Sequence, residues 1–117
     1  MEPIAIKRIY EDSSKNDGYR ILVDRLWPRG VSKEEANLDE WDKNIAPSTE
    51  LRKWFDHKEE RFQEFALRYK EELMSQKDAL NQILKIAQTQ KVTLLYGAKN
   101  SEINQAVVLK NILNQQV

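Results

Sequence analysis

Three stretches of the chain are apolar in the manner of β-strands. From Ile4 to Tyr10 the pattern alternates, with Ile4, Ile6 and Arg8 on one side and Ala5, Lys7 and Ile9 on the other. Ile21-Leu22-Val23 and Val92-Thr93-Leu94-Leu95-Tyr96 do not alternate, and an unbroken run predicts a strand covered on both faces, as in a parallel sheet. Between the first two strands, Glu11 to Gly18 is polar and turn-rich, hence a loop. A crossover between parallel neighbours usually takes a dozen or more residues. The first two strands are therefore either antiparallel, or parallel with another strand between them.

The rest of the chain has helical periodicity. Ser32-Lys33-Glu34-Glu35 has the spacing of a capping box and opens a short helix, whose apolar contacts Leu38 and Trp41 continue. Ile45-Ala46-Pro47 predicts an extended segment, because the residue before proline avoids helical angles. Ser48 is placed to cap a helix carrying Leu51, Trp54 and Phe55 on one face, and Asp56, three residues before Glu59, repeats the cap spacing for a third. Phe62, Phe65, Ala66, Tyr69 and Leu73 form that helix's buried stripe. A fourth helix runs from about Asp78 with Leu80, Ile83, Leu84 and Ala87 inward. After the exit Gly97-Ala98-Lys99-Asn100, residues Ile103, Ala106, Val107, Lys110 and Leu113 describe a C-terminal amphipathic helix. The expected fold is α/β: a small Rossmann-like single domain over residues 1–117, with three to four mostly parallel strands flanked by helices.

Composition narrows the chemistry. The 117 residues are 40% hydrophobic, enough for one core. Lysine plus arginine equal aspartate plus glutamate at 19 each, so no global field draws the chain to nucleic acid or to an acidic membrane. An anion site must therefore be local. The absence of cysteine excludes disulfides, thiolate nucleophiles and sulfur-ligated metals. A single histidine, His57, argues against a histidine metal centre or a Ser-His-Asp triad; at a helix start beside Asp56 it reads as a surface residue. No metal and no cofactor is expected. No signal peptide or long apolar span opens the chain, which makes a cytoplasmic protein the expectation.

Ligands of open α/β sheets bind beyond the carboxyl ends of the strands. Two strand exits are polar there: Asp24, Arg25 and Arg29 after the second strand, with Trp27 and Pro28 between them, and Tyr96, Gly97, Lys99 and Asn100 after the last. An unpaired first turn of the final helix, which includes Asn104, together with Lys99 would favour phosphate or carboxylate. Arginine adds a planar fork that holds such a group through two hydrogen bonds. Asp24 would orient the arginines or act as a base. The plainer reading is a structural ion pair between Asp24 and Arg25 or Arg29 that pins the loop. Gly97 by itself permits a tight turn, and Trp27 reads as core packing or a cation–π partner before it reads as a stacking platform.

Asp17-Gly18-Tyr19-Arg20 through Asp24-Arg25-Leu26-Trp27-Pro28-Arg29-Gly30, Ala46-Pro47-Ser48 with Leu51-Arg52-Lys53-Trp54-Phe55, and Leu94-Leu95-Tyr96-Gly97-Ala98-Lys99 resemble the YeaO-like branch of the domain-of-unknown-function 488 family. The resemblance covers nearly the whole chain. It implies a small, soluble bacterial protein with a parallel α/β fold and no established activity. The wider family has a helix between the first two strands, where this chain has only Glu11 to Gly18. Members of the branch often carry a His-Asn-His run at the start of the last helix, replaced here by Ile103-Asn104-Gln105; the wider family's Cys-His-Arg run there is replaced by Asn104-Gln105-Ala106.

These readings converge on a pocket formed by Arg25, Arg29, Lys99 and the start of the final helix, taking a small anionic, phosphate-bearing molecule, with hydrolase or transferase chemistry left open. One alternative is a nucleic-acid binder using Arg8, Arg20, Arg25, Arg29 and Trp27, disfavoured by the zero net charge. The other is a protein-interaction module built around Trp41 and Trp54. No membrane association is expected, and the oligomeric state is not specified.

Overall fold

The computed structural model describes residues 4–115. Its sheet has four strands, β1 (Ile4–Arg8), β2 (Tyr19–Leu22), β3 (Glu40–Trp41) and β4 (Val92–Tyr96). They lie in the order β1-β4-β2-β3, and every pairing is parallel. Of the two arrangements open for β1 and β2, the chain adopts the second. They are parallel, and β4 lies between them, pairing Ile4 with Val92 on one side and Tyr19 with Val92 on the other. The return from β1 to β2 contains one 3-10 turn, Lys15–Asp17, capped by Ser14.

The turn is secured by charge. The Asp17 carboxylate accepts from the Ser14 N–H, from Lys7 and from the buried Arg20 guanidinium, which also donates to the Ala36 and Asn37 carbonyls. At Gly18, φ is +67°, and a Cβ would lie 2.2 Å from the Lys91 carbonyl oxygen, so the entry to β2 admits only glycine.

β3 stands where the sequence pattern predicts the continuation of a helix. The spacing of Leu38 and Trp41 matches a helix, but the helix α1 (Lys33–Ala36) ends at Asn37, whose φ of 47° stops it. Trp41 instead pairs beside Leu22, its ring meets Trp27 edge-on at 5.2 Å, and its Nε1 donates to the Asp24 carbonyl. The remaining helices are α2 (Thr49–Phe55), α3 (Phe62–Leu73), α4 (Lys77–Ala87) and α5 (Gln105–Gln115). Ser48 caps α2 as its spacing predicts. Asp56 does not cap α3. It ends α2 in the left-handed conformation, as does His57 after it, with φ of 50° and 55°, and a 3-10 turn at Glu59–Arg61 precedes α3.

The sheet is covered on both faces, which is why Ile21, Leu22 and Val23 need not alternate. Ile4, Ile21, Val23, Val92, Leu94 and Tyr96 pack against α2 to α5 in the main core, where Phe55, Phe65 and Tyr69 stack. Ile9, Leu22 and Leu95 face a smaller cluster with Ala36, Trp27 and Trp41. Among the described residues, no helix is long and apolar enough to cross a membrane.

Candidate functional site

Because all four strands are parallel, their carboxyl ends share one edge of the sheet. The chain leaves β2 through Val23 and Asp24, leaves β4 directly into Gly97, and leaves β1 toward Tyr10. A cavity of about 350 Å³ opens there. Its polar lining comes from Asp24, Arg25 and Arg29 of the β2 exit, Arg52 of α2, His57 just beyond α2, and Asn104 and Gln105 at the start of α5.

Asp24 forms the floor and bridges two exits. One carboxylate oxygen accepts the Gly97 N–H at 2.8 Å, and the other accepts the side-chain amide of Gln105. This explains Gly97: its φ is not positive, but a Cβ would stand 3.0 Å from Asp24 Oδ2. The glycine serves close approach rather than turn geometry. Burial pushes the Asp24 carboxyl up to about 6, against the Gly97 N–H, the charge of Arg52 and the Gln105 amide, which all favour the ionised form.

The arginines are held otherwise than expected. Arg25 is fixed to the segment before α2, its Nε donating to the Pro47 carbonyl at 3.0 Å and its Nη2 to the Ala46 carbonyl at 3.2 Å. Among the described residues the ion pairs are Lys7–Asp17, Arg20–Asp17 and Arg68–Glu64. Asp24 therefore neither orients Arg25 or Arg29 nor pairs with them: its two hydrogen bonds go to Gly97 and Gln105, and the Arg25 guanidinium is turned to the Pro47 and Ala46 carbonyls. Among the described residues, no carboxylate forms an ion pair with Arg25, Arg29 or Arg52. Arg29 contributes its carbonyl to a 2.9 Å bond from the Tyr10 hydroxyl and leaves its side chain exposed.

The other residues singled out from the sequence are distributed as follows. Trp27 touches the cavity, but its Nε1 donates to the Val31 carbonyl and its ring packs on Trp41. Asn104 is buried and caps α5, accepting the Val107 N–H and donating to the Asn100 carbonyl. Asn100 shapes the turn, its side chain accepting from Glu102 and Ile103. Tyr96 lies in the core, and Lys99 is exposed without lining the cavity. The structure adds Tyr10, Arg52, His57 and Gln105. Arg52 stands within one of the blocks that carry the family resemblance, but helical periodicity places it on a solvated face, and only the fold brings that face to the sheet edge. The left-handed backbone at His57 is strained for a residue with a side chain, and it sets the imidazole at the cavity wall.

Residues 3–117 match the family described as "Inactive DUF488-N3 subclade". The chain belongs to this subclade. It is 48% identical over 110 residues to the uncharacterized protein YeaO of Escherichia coli (strain K12), covering 94% of this chain and 96% of that one. It is 41% identical over 111 residues to the uncharacterized protein Rv3073c of Mycobacterium tuberculosis (strain H37Rv) and to the uncharacterized protein Mb3100c of Mycobacterium bovis, covering 95% of this chain and 93% of each relative. No solved structure gives a significant match. This member of the inactive DUF488-N3 subclade thus aligns over most of its length with relatives that are themselves uncharacterized.

Proposed function

We propose that this chain binds a small anionic, phosphate-bearing ligand in the cavity at the carboxyl ends of its strands, and that it does so without turnover. The observation that carries this reading is the charge around the cavity: Arg25, Arg29 and Arg52 line it, and among the described residues Asp24 is the sole carboxylate of the lining. Guanidinium groups not neutralised by a protein carboxylate are suited to hold a phosphate oxygen pair through two hydrogen bonds. The amino terminus of α5 adds its positive dipole end at Gln105.

The absence of turnover has its own support. Among the described residues, the lining contains no serine, threonine, cysteine or lysine. The residue against Asp24 is Gln105, standing where the YeaO-like branch often has a histidine. A carboxylate–imidazole pair can move a proton at neutral pH, whereas an amide cannot. The subclade's description as inactive agrees with this loss.

Thermal-shift measurements with phosphate, sugar phosphates and nucleotides on the wild type, Arg29→Ala and Arg52→Ala test the proposal. A ligand at a hundred times its dissociation constant stabilises the native state by about 2.7 kcal/mol, and either substitution should remove most of that increment. A panel without any shift, or shifts unchanged in both variants, would overturn it. Nucleic-acid binding has less support. Arg20 is buried against Asp17, Arg8 is bound to the Ala98 carbonyl, and Trp27 is packed on Trp41.

A further inference from the structure

The cavity is not charged all round. Tyr10 and Leu26 belong to its lining and are 44% and 58% exposed, two of the few large apolar side chains left in solvent. Tyr10 is nevertheless fixed in place. Its hydroxyl donates to the Arg29 carbonyl, and the Arg8 guanidinium lies 4.4 Å from the ring centroid while its Nε donates to the Ala98 carbonyl. A cation against an aromatic ring, with both groups anchored to backbone carbonyls, makes a preorganised platform rather than a loose surface side chain.

Resting on the reading of the cavity as an anion site, we propose that its ligand is a mononucleotide. The planar base lies on Tyr10 and against Leu26, and the phosphate is held by Arg29 and Arg52. Asp24 suits the sugar between them. Each of its oxygens accepts one protein hydrogen bond and keeps a lone pair for a ribose hydroxyl. The volume of about 350 Å³ is at the small end for small-molecule sites. That size favours one nucleotide over a dinucleotide and leaves bare phosphate underfilling the space. Stacking on an aromatic side chain tolerates any base, so Tyr10 sets the class of ligand and not the base identity.

Calorimetric titration of adenosine 5′-monophosphate, ribose 5-phosphate and inorganic phosphate into the wild type, Tyr10→Leu and Tyr10→Phe tests this. The nucleotide should bind the wild type on the order of ten- to a hundredfold tighter than ribose 5-phosphate, the range expected for one base–aromatic stack. Tyr10→Leu should abolish that preference, and Tyr10→Phe, which loses the same hydroxyl bond to the Arg29 carbonyl but keeps the ring, should retain most of it. Tyr10 is exposed, so both variants should fold. Equal affinity for nucleotide and sugar phosphate in the wild type, or a preference that survives Tyr10→Leu, overturns the assignment while the anion site stands. Failure of all three probes to bind overturns both.

Discussion

Replacing Asp24 with asparagine removes a buried charge while keeping the shape of the side chain. The amide oxygen can still accept the Gly97 N–H, and the amide nitrogen can donate to the Gln105 carbonyl if that side chain flips. In the wild type, burial raises the carboxyl from 3.8 to about 6. Each tenfold change in acidity corresponds to about 1.4 kcal/mol, so ionising Asp24 in the folded state costs about 3 kcal/mol more than in the unfolded chain. The sign follows from linkage. The folded state binds this proton more tightly, so the associated stability is complete below about pH 3.8 and is lost as pH rises through about 6. Asp24→Asn should match the wild type near pH 4 and exceed it by up to about 3 kcal/mol at pH 8, a rise in Tm of about 10 °C for a domain of this size. Urea denaturation at half-unit pH intervals measures the gap directly. A gap that stays constant from pH 4 to pH 8 would refute the argument, because it would mean that the carboxylate is as well solvated folded as unfolded.

Two further outcomes follow from the same geometry. Sulfate, whose charge is constant across this range, should bind more weakly as pH rises through about 6, because the ionised Asp24 then shares the cavity with it; on a His57→Gln background the dependence should persist, and adding Asp24→Asn should flatten it. Gly97→Ala should lower the urea-derived stability by about 1–2 kcal/mol, the overpacking cost of a Cβ placed 3.0 Å from Asp24 Oδ2 less the backbone entropy that alanine saves; an unchanged denaturation midpoint would show that the carboxylate turns aside without loss.

What could be read from the sequence follows the range of the forces involved. β2 and β4 are legible because their runs of apolar residues are local and unbroken, and the cap at Ser48 is legible because it acts within three residues. β3 is not. It is two residues long, and Leu38 and Trp41 at a spacing of three mimic a helix. Asp24 and Arg29 could be found from strand-end logic, since each stands in the β2 exit itself. Arg52 and His57 could not, because a charged residue on a helix face and a histidine in a turn look solvated until tertiary packing turns them toward the sheet edge. Lys99 shows the converse, standing two residues past Gly97 and yet outside the cavity.

The position of β4 also bears on how the protein is made. β4, which joins β1 to β2, is the last of the four strands in chain order, and among the described residues the only native strand pairing formed without it is the two-residue match of β2 with β3. Ile4 and Ile21 then have no shared sheet to enter, and both flanks of the missing strand remain open to other chains. The other pairings of the sheet join residues far apart in sequence, and contacts of that kind form slowly. A chain without the residues from Val92 onward would therefore leave one edge of β1 and one of β2 unpaired.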